Sequence, residues 1–218
     1  MLDLVLPRRC AVCARPGYAL CAECRARFVR LVPPVCERCG SPGAWPVRRC
    51  TECAGRRLGF ATARGAVLYD PRAKAFVRVW KEHGRRDLAN LAARLVAGVV
   101  PRIEADVITF VPGDRDRSLR RGHSPPERLA HELATLWDLP AAPLLTRLKA
   151  TPRQRGLRLD ERRRNVAGAF GAVRAAPRHV VLVDDVYTTG STAGVCASAL
   201  RKAGADRVDV LAFARAVR

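Results

Sequence analysis

The sequence predicts an α/β protein in which a parallel sheet flanked by helices follows a small cysteine-rich domain. Eight of the nine cysteines fall within the first 53 residues. Three short apolar runs, at residues 106–111, 179–183 and 207–214, are separated by helical stretches, which is the order expected of strands buried on both faces of a parallel sheet. Two adjacent acids and a loop rich in hydroxyl and glycine residues follow the second run. We therefore expect a cysteine-rich domain over residues 1–56 and an α/β domain over residues 57–218.

The cysteine-rich segment contains four CxxC pairs, and this spacing lets two thiolates of one turn point at the same tetrahedral ion. The pairs are Cys10/Cys13, Cys21/Cys24, Cys36/Cys39 and Cys50/Cys53. Because the N-terminal residues lack the apolar core of a secretory signal, we expect two structural zinc ions in preference to iron–sulfur clusters or disulfides. Pairing in sequence order would give a double zinc ribbon, and the alternative is a cross-braced arrangement of the first pair with the third. Closed four-cysteine sites would fold the segment rather than catalyse.

The chain is strongly basic, with a formal charge of +20 from 40 Lys and Arg against 20 Asp and Glu. Such an excess favours polyanionic partners, such as nucleic acid or phosphorylated ligands, without locating a site. No uninterrupted run of about 18 apolar residues is present, so the sequence predicts no membrane insertion and a cytoplasmic location.

The segments between the apolar runs predict the remaining elements of the α/β domain. Residues 66–69 favour a first strand, and Pro71, shortly after it, is typical of a helix start. Over residues 72–99 apolar side chains recur at spacings of three and four, with an interruption at His83 and Gly84, so we expect two helices or one broken helix. Residues 126–137 and 192–203 predict helices that cover the sheet.

The segment VVLVDDVYTTGST carries the strongest functional signal. Its apolar run ends at Asp184 and Asp185, and the loop that follows turns the chain into a helix. At the carboxyl end of a parallel strand, main-chain amides, hydroxyls and a helix N-terminus together favour a phosphate. The loop residues expected to bind it are Thr188, Thr189, Gly190, Ser191 and Thr192. The carboxylates can accept hydrogen bonds from the vicinal hydroxyls of a ribose and favour a bridging magnesium ion, so the combination describes phosphoribosyl pyrophosphate.

This pattern resembles the signature of the type I phosphoribosyltransferases, and the rest of the chain narrows the resemblance. A four-CxxC start, VWKEHGRRDLA, FVPGDRDRSLRRGH, TPRQRGLRLDERRRNVAGAF and the acid-pair loop occur in that order over nearly the entire chain. The sequence therefore resembles the ComF family of competence-associated, phosphoribosyltransferase-like proteins. The resemblance implies a type I phosphoribosyltransferase fold behind a double zinc ribbon. One departure is that His123, Ser124 and Pro125 stand where family members commonly carry Phe-Asn-Gln.

The resemblance also marks candidates for contacts with pyrophosphate or another anion. The segment ITFVPGDRDR corresponds by its order to the family's pyrophosphate loop, and guanidinium groups match phosphate geometry. The basic segment at residues 147–165 is expected to close over the site as a flap or to follow a nucleic-acid backbone. The candidate contacts are Lys81, Pro112, Arg115, Arg163, Arg164 and Asn165.

Two hypotheses of function follow. In the first, the resemblance implies an enzyme that binds magnesium-bound phosphoribosyl pyrophosphate and transfers the phosphoribosyl group to an unidentified acceptor, with Asp184 and Asp185 as the catalytic residues that hold ribose. In the second, the chain is a non-catalytic scaffold whose basic surface and zinc ribbons engage single-stranded DNA or DNA-uptake proteins during natural transformation. An intact acid pair and loop require ligand binding but not turnover, so the sequence does not separate the two.

Overall fold

The computed structural model describes residues 8–113, 122–148 and 168–217. The predicted parallel sheet flanked by helices, with a cysteine-rich ribbon before it, is confirmed. Within the described ranges no helix is both long enough and apolar enough to span a membrane. In chain order the elements are α1 (Ala22–Ala26), β1 (Thr62–Leu68), α2 (Pro71–Glu82), α3 (Leu88–Ala97), β2 (Val107–Phe110), α4 (Pro125–Trp137), β3 (Leu145–Arg147), β4 (Phe170–Ala172), β5 (His179–Tyr187), α5 (Ser191–Lys202) and β6 (Arg207–Arg215).

The main sheet has four strands in the order β1-β6-β5-β2, and every neighbouring pair is parallel. The two longest strands, β5 and β6, lie in the centre and are paired from His179 with Arg207 to Tyr187 with Arg215. Because all four strands run in the same direction, their carboxyl ends meet at one edge of the sheet. This edge is where parallel α/β sheets bind ligands.

Helices cover both faces of the sheet and divide its core in two. On one face α2, α3 and α4 bury an aromatic cluster in which the rings of Phe76 and Phe213 lie 4.8 Å apart, with Trp80 beside them. On the other face α5 packs Cys196 and Leu200 against the opposite side of the central strands. Successive side chains of β5 and β6 therefore alternate between two apolar layers, which explains their continuous apolar runs.

The two helices predicted over residues 72–99 are confirmed. Asp70 caps α2 by accepting a hydrogen bond from the Ala73 amide at 2.8 Å, and a proline opens the helix. The helix ends at His83, and Gly84 adopts a φ of 63°, which lies in the left-handed region that glycine enters without a steric penalty. The chain then starts α3, and the interruption read from the sequence is a true helix end.

The ribbon is attached to the sheet by both side chains and main chain. Phe28 packs edge-on against the rings of Phe76 and Phe213, with centroids 6.0 and 5.9 Å apart. The chain around Leu31 runs antiparallel to β1, and the Leu31 amide donates to the Ala66 oxygen at 2.9 Å. Phe28 of the ribbon thus belongs to the same core as the sheet.

One element was absent from the sequence prediction. Strands β3 and β4 form a short antiparallel pair, with Leu145 opposite Ala172. Each strand has only three residues, which is too short for an alternating pattern to stand out. The pair packs beside α5, and residues 149–167, which join its strands, lie outside the described ranges.

Candidate functional site

The two adjacent acids lie inside β5 rather than after it. The strand continues to Tyr187, and Asp184 pairs with Ala212 of β6. The strand end predicted at the acid pair is therefore wrong, because carboxylates interrupt the apolar pattern without interrupting the main-chain ladder. Since successive side chains of a strand point to opposite faces, the two carboxylates start on opposite sides of the sheet near its carboxyl edge. Asp185 is buried, at 6% exposure, and Asp184 is partly exposed.

Lys81 forms an ion pair with the buried acid. It lies in the last turn of α2, and its Nζ contacts Oδ2 of Asp185. Burial alone would lower the pKa of Lys81, but the attraction of Asp185 and the hydrogen bond to it outweigh burial and raise that pKa. Lys81 therefore contacts a carboxylate of the chain itself and orients it, and its contact with a ligand anion stays a prediction.

The other acid has a different protonation behaviour. Burial raises the pKa of Asp184 to about 8, the negative charge of Asp185 adds to the rise, and Lys81 opposes it. The Asp185 amide donates to Oδ1 of Asp184 at 2.8 Å, which fixes the orientation of this side chain. The pair thus combines one carboxylate in an ion pair with a lysine and one carboxyl group with a raised pKa. An ionised carboxylate accepts hydrogen bonds, and a protonated one can also donate.

The loop after β5 turns tightly into α5. Gly190 adopts a φ of 71° directly before the helix starts at Ser191. The hydroxyl oxygens of Thr189 and Ser191 lie 2.8 Å apart, and the Ser191 amide donates to Oγ1 of Thr189 at 3.2 Å. These two side chains are buried, whereas Thr188 and Thr192 are partly exposed. The loop is therefore closed by its own hydroxyls, and the positive end of the α5 dipole lies at the carboxyl edge of the sheet, where it favours an anion.

Tyr187 fixes the position of this loop. A Cβ built on Gly190 would lie 2.3 Å from the tyrosine hydroxyl oxygen, so the ring approaches the loop main chain closely. The ring packs edge-on against Phe60, with centroids 6.1 Å apart, and the guanidinium carbon of Arg215 lies 4.9 Å from its centroid. The tyrosine is buried, at 4% exposure, so the residues packed around its ring fix its position. Through this ring they also fix the position of the loop.

Three side chains around the loop were missed by sequence reasoning. Besides Phe60 and Arg215, Arg56 donates a hydrogen bond to the main-chain oxygen of Thr189, which lies 133 positions further along the chain. The sequence does contain a signal for Arg215. It directly follows the uncharged run VLAFA of β6, and an arginine at the end of a buried strand is expected to have a charged or polar partner. No comparable signal marks the other two.

Among the remaining candidates, Pro112 lies at the same edge of the sheet. The residue before it, Val111, donates to the main-chain oxygen of Val183, so the chain leaves β2 beside the acid pair. Arg147 donates to the Pro112 oxygen at 3.4 Å. The other predicted anion contacts, like most of the basic segment at 147–165, lie outside the described residues: Arg115, Arg163, Arg164 and Asn165.

His123, Ser124 and Pro125, which the sequence resemblance marks as a departure, lie at the start of α4. Ser124 is the N-cap and Pro125 the first helical residue. His123 and Ser124 are buried, at 7% and 8% exposure. The segment therefore serves as a helix start in this chain.

The eight cysteines of the ribbon form two clusters in sequence order. In each cluster the four Sγ atoms lie within 4.8 Å of one another. Pairing in sequence order is therefore confirmed, and the cross-braced arrangement is excluded. The first cluster contains Cys10, Cys13, Cys21 and Cys24, and the second contains Cys36, Cys39, Cys50 and Cys53.

The sulfur geometry of the second cluster fits zinc. Four sulfurs at about 2.3 Å from a tetrahedral ion lie about 3.8 Å from one another. The measured separations are 3.5 Å between Cys39 and Cys50 and 3.7 Å between Cys36 and Cys53. The Cys50 amide donates to the Cys36 sulfur at 3.3 Å, which supports a thiolate there. Both clusters are closed sets of four sulfurs, so a zinc ion in either would be structural.

Comparison with known proteins agrees with this organisation. A double zinc ribbon domain matches residues 1–54. The chain is similar to DNA utilization protein YhgH of Salmonella typhimurium, at 32% identity over 228 residues that cover 97% of this chain and 99% of that protein. It is also similar to Competence protein F of Haemophilus influenzae, at 30% identity over 210 residues and 90% of each chain.

Among solved structures, a glutamine phosphoribosylpyrophosphate (PRPP) amidotransferase from B. subtilis complexed with ADP and GMP is 28% identical, with a TM-score of 0.38, over 60% of this chain and 26% of that one. The full-length relatives align through both the ribbon and the sheet. On that alignment, the chain belongs to the ComF family.

Proposed function

We propose that this protein binds phosphoribosyl pyrophosphate at the carboxyl edge of its sheet, between the acid pair and the loop before α5. The observation that carries the proposal is the placement of Asp184 and Asp185 in β5, three residues before a buried, glycine-containing turn into a helix N-terminus. The loop amides would bind the 5-phosphate, and the carboxylates would bind the ribose hydroxyls.

The surroundings of the two acids differ. Asp185 forms an ion pair with Lys81. Burial raises the pKa of Asp184 to about 8, and a carboxyl group that holds its proton can donate a hydrogen bond as well as accept one. Vicinal hydroxyls act both as donors and as acceptors, so they can bond to either form of a carboxyl group.

Magnesium would reach the site together with the ligand. Among the described residues, the groups of three or more His, Cys, Asp or Glu side chains that could hold a metal are the two cysteine clusters. Magnesium commonly binds through substrate phosphates and few carboxylates, so the oxygens of the ligand would hold it while the acid pair fixes the ribose. Its chemical contribution would be to neutralise charge on the pyrophosphate.

In a transferase reaction at this site, the bond from C1 of ribose to pyrophosphate breaks and a bond from C1 to the acceptor forms. The pyrophosphate leaves with the bonding electron pair, and the acceptor nucleophile loses its proton. The contribution of Asp184, Asp185 and the loop is to hold the sugar phosphate still while positive charge develops at C1. Positioning of this kind would account for most of the catalysis.

Calorimetric titration with phosphoribosyl pyrophosphate and magnesium tests the proposal. We expect micromolar binding by the zinc-loaded wild type and none by Asp184→Asn/Asp185→Asn. The matched control is Asp206→Asn, which changes an exposed acid paired with the exposed Arg178 and should bind like the wild type. Absence of binding by a folded, zinc-loaded wild type would refute the proposed function.

The charge of the chain and the names of its relatives favour a second function. A formal charge of +20 suits a nucleic-acid partner, and the relatives are named for DNA utilization and competence. We infer that the chain takes part in handling single-stranded DNA. Binding to a short single strand should weaken steeply with salt, by about 0.7 in the log–log slope for each phosphate neutralised. A flat salt response, or no binding, would contradict this inference and leave the sugar-phosphate site untouched.

A further inference from the structure

Arg215 is a buried cation at the functional edge of the sheet. It ends β6, lies between Leu68 and Tyr187 in the strand register, and is 1% exposed. A Cβ on Gly65 would lie 2.7 Å from the Cβ of Arg215, so β1 makes room for this side chain. Burying a charge of this kind is unfavourable unless it is paired and hydrogen-bonded. The partners of Arg215 therefore explain why an arginine stands here.

On one side, Arg215 contacts the second cysteine cluster. Its Nη2 donates to Oε2 of Glu52 at 2.8 Å and to the sulfur of Cys39 at 3.3 Å. Glu52 lies in the loop of the last CxxC pair and accepts a second hydrogen bond from Ser41 at 3.1 Å. A zinc ion bound by four thiolates would carry a net charge of about −2 together with its ligands, which favours a guanidinium beside the cluster.

On the other side, Arg215 contacts the residue that sets the position of the hydroxyl-glycine loop. Its guanidinium lies over the Tyr187 ring, and the tyrosine hydroxyl touches Gly190. A second connection runs in parallel, because Arg56, three residues after the last cysteine of the cluster, donates to the Thr189 oxygen. The second cluster thus reaches the loop through two arginines.

The first cysteine cluster lies beside a different part of the sheet domain, the chain before α3. Next to Cys10, the main-chain oxygen of Arg9 accepts a hydrogen bond from Arg85 at 3.0 Å, and Arg85 pairs with Asp87 before α3. Both clusters are four-cysteine sites, but their neighbours connect them to different parts of the sheet domain. The first cluster is therefore an internal control for the second.

Resting on the anion-binding function proposed for the loop, we propose that Arg215 is a positioning residue that couples the second cysteine cluster to the loop, so that metal in the cluster and ligand on the loop stabilise each other. A bound zinc ion would fix Cys39 in place, Cys39 and Glu52 would hold the guanidinium, and the guanidinium would hold Tyr187 beneath Gly190. Coupling between two binding equilibria is reciprocal. Phosphoribosyl pyrophosphate must then raise the zinc affinity of the second cluster by the factor by which zinc raises the affinity of the loop.

Zinc competition with a chromophoric chelator tests the first half of this coupling. In Arg215→Gln, the zinc affinity of the second cluster should fall about 10- to 100-fold, which is the effect typical of removing a hydrogen-bond partner of a metal ligand. The zinc affinity of the first cluster should stay unchanged. The control is Arg207→Gln, at the opposite end of the same strand, where both ions should be held as in the wild type. If Arg215→Gln does not fold, Glu52→Gln removes the charged partner of the guanidinium and should weaken the same ion.

Hydrogen exchange at residues 188–192 tests the second half without relying on the ligand. Cys50→Ser/Cys53→Ser should speed exchange in the loop about tenfold, whereas Cys10→Ser/Cys13→Ser should leave it unchanged; a tenfold change corresponds to about 1.4 kcal/mol. Exchange of the central β5 amides reports that the sheet remains folded. Equal loop exchange in the two double variants, or unchanged zinc affinity in Arg215→Gln and Glu52→Gln, would overturn the coupling.

The same experiments separate this proposal from the one on which it rests. If the wild type binds phosphoribosyl pyrophosphate but the ligand changes the affinity of neither zinc ion, the coupling is wrong and the proposed function stands. If the wild type does not bind the ligand while loop exchange still follows the second cluster, the proposed function is wrong and the positioning role of Arg215 stands.

Discussion

Replacing Gly190 with alanine tests how the loop before α5 is held. The new methyl group would meet a φ of 71°, and its Cβ would lie 2.3 Å from the Tyr187 hydroxyl oxygen and 2.6 Å from the ring carbon that bears it. A left-handed conformation destabilises an L-residue by roughly 1–2 kcal/mol, and displacing a buried ring adds about 1–3 kcal/mol. We expect the free energy of unfolding to fall by about 2–5 kcal/mol in urea titrations of the zinc-loaded protein.

The same substitution one helical turn later should have the opposite effect on the free energy of unfolding. At Gly194 a Cβ would meet no atom within 4 Å, and the residue lies inside α5. Gly194→Ala should therefore raise the free energy of unfolding by about 0.5–1 kcal/mol, because alanine loses less backbone entropy in a helix. Adding Tyr187→Phe to Gly190→Ala should recover part of the loss by removing the nearest atom. A loss below about 1 kcal/mol in Gly190→Ala would refute the close contact with Tyr187.

Further predictions concern the acids and the ribbon. Lys81→Met would leave Asp185 buried without its cation and should lower the free energy of unfolding by about 3 kcal/mol. Adding Asp185→Asn should recover part of this loss. If the double variant shows the full loss, the pairing of the two side chains is contradicted. The folded pKa of Asp184, about 8, lies above the ordinary carboxyl value of 3.8. The native state thus keeps a proton that the unfolded chain releases between these values, and stability should fall as pH rises across that range. Asp184→Asn should be more stable than the wild type at about pH 9, with the difference vanishing near pH 4; the same difference at both pH values would rule out the raised pKa. Chelation of zinc should unfold the ribbon, since a closed four-cysteine site supplies its folding energy, and limited proteolysis should then cut within residues 8–56; an unchanged cleavage pattern in zinc-free protein would exclude this role.

Short sequence patterns were enough to predict the cysteine clusters, the buried strands and the helix break, because each depends on residues close together in the chain. CxxC spacing identifies metal ligands because two thiolates of one turn share an ion, and apolar runs identify strands because a parallel sheet is buried on both faces. The helix break at His83 followed from periodicity and a glycine. The same reasoning placed the end of β5 too early, because the carboxylates of Asp184 and Asp185 look like loop residues until the pairing with β6 is seen.

Interactions between distant parts of the chain were not accessible in this way. Arg215 meets Cys39 across 176 positions, and Arg56 meets Thr189 across 133. No periodicity or spacing brings such pairs together, since they arise from the packing of the ribbon on the sheet. For the same reason the ion pair between Lys81 and Asp185 was not foreseen, and the anion contact expected of Lys81 stays a prediction.

The pairing of the ribbon with β1 also bears on how the protein stays dispersed. β1 and β2 are the outer strands of the sheet, and an unpaired outer strand is a template for joining another chain. Leu31 and its neighbours occupy the exposed side of β1, and Ala141 pairs with Ile108 on the outer side of β2. Within the described residues, segments of the chain thus cover part of both outer strands, and the cover of β1 comes from the segment between the two cysteine clusters. If loss of zinc unfolds the ribbon, main-chain groups of β1 would become available to other copies of the chain, so we expect zinc-free protein to aggregate more readily.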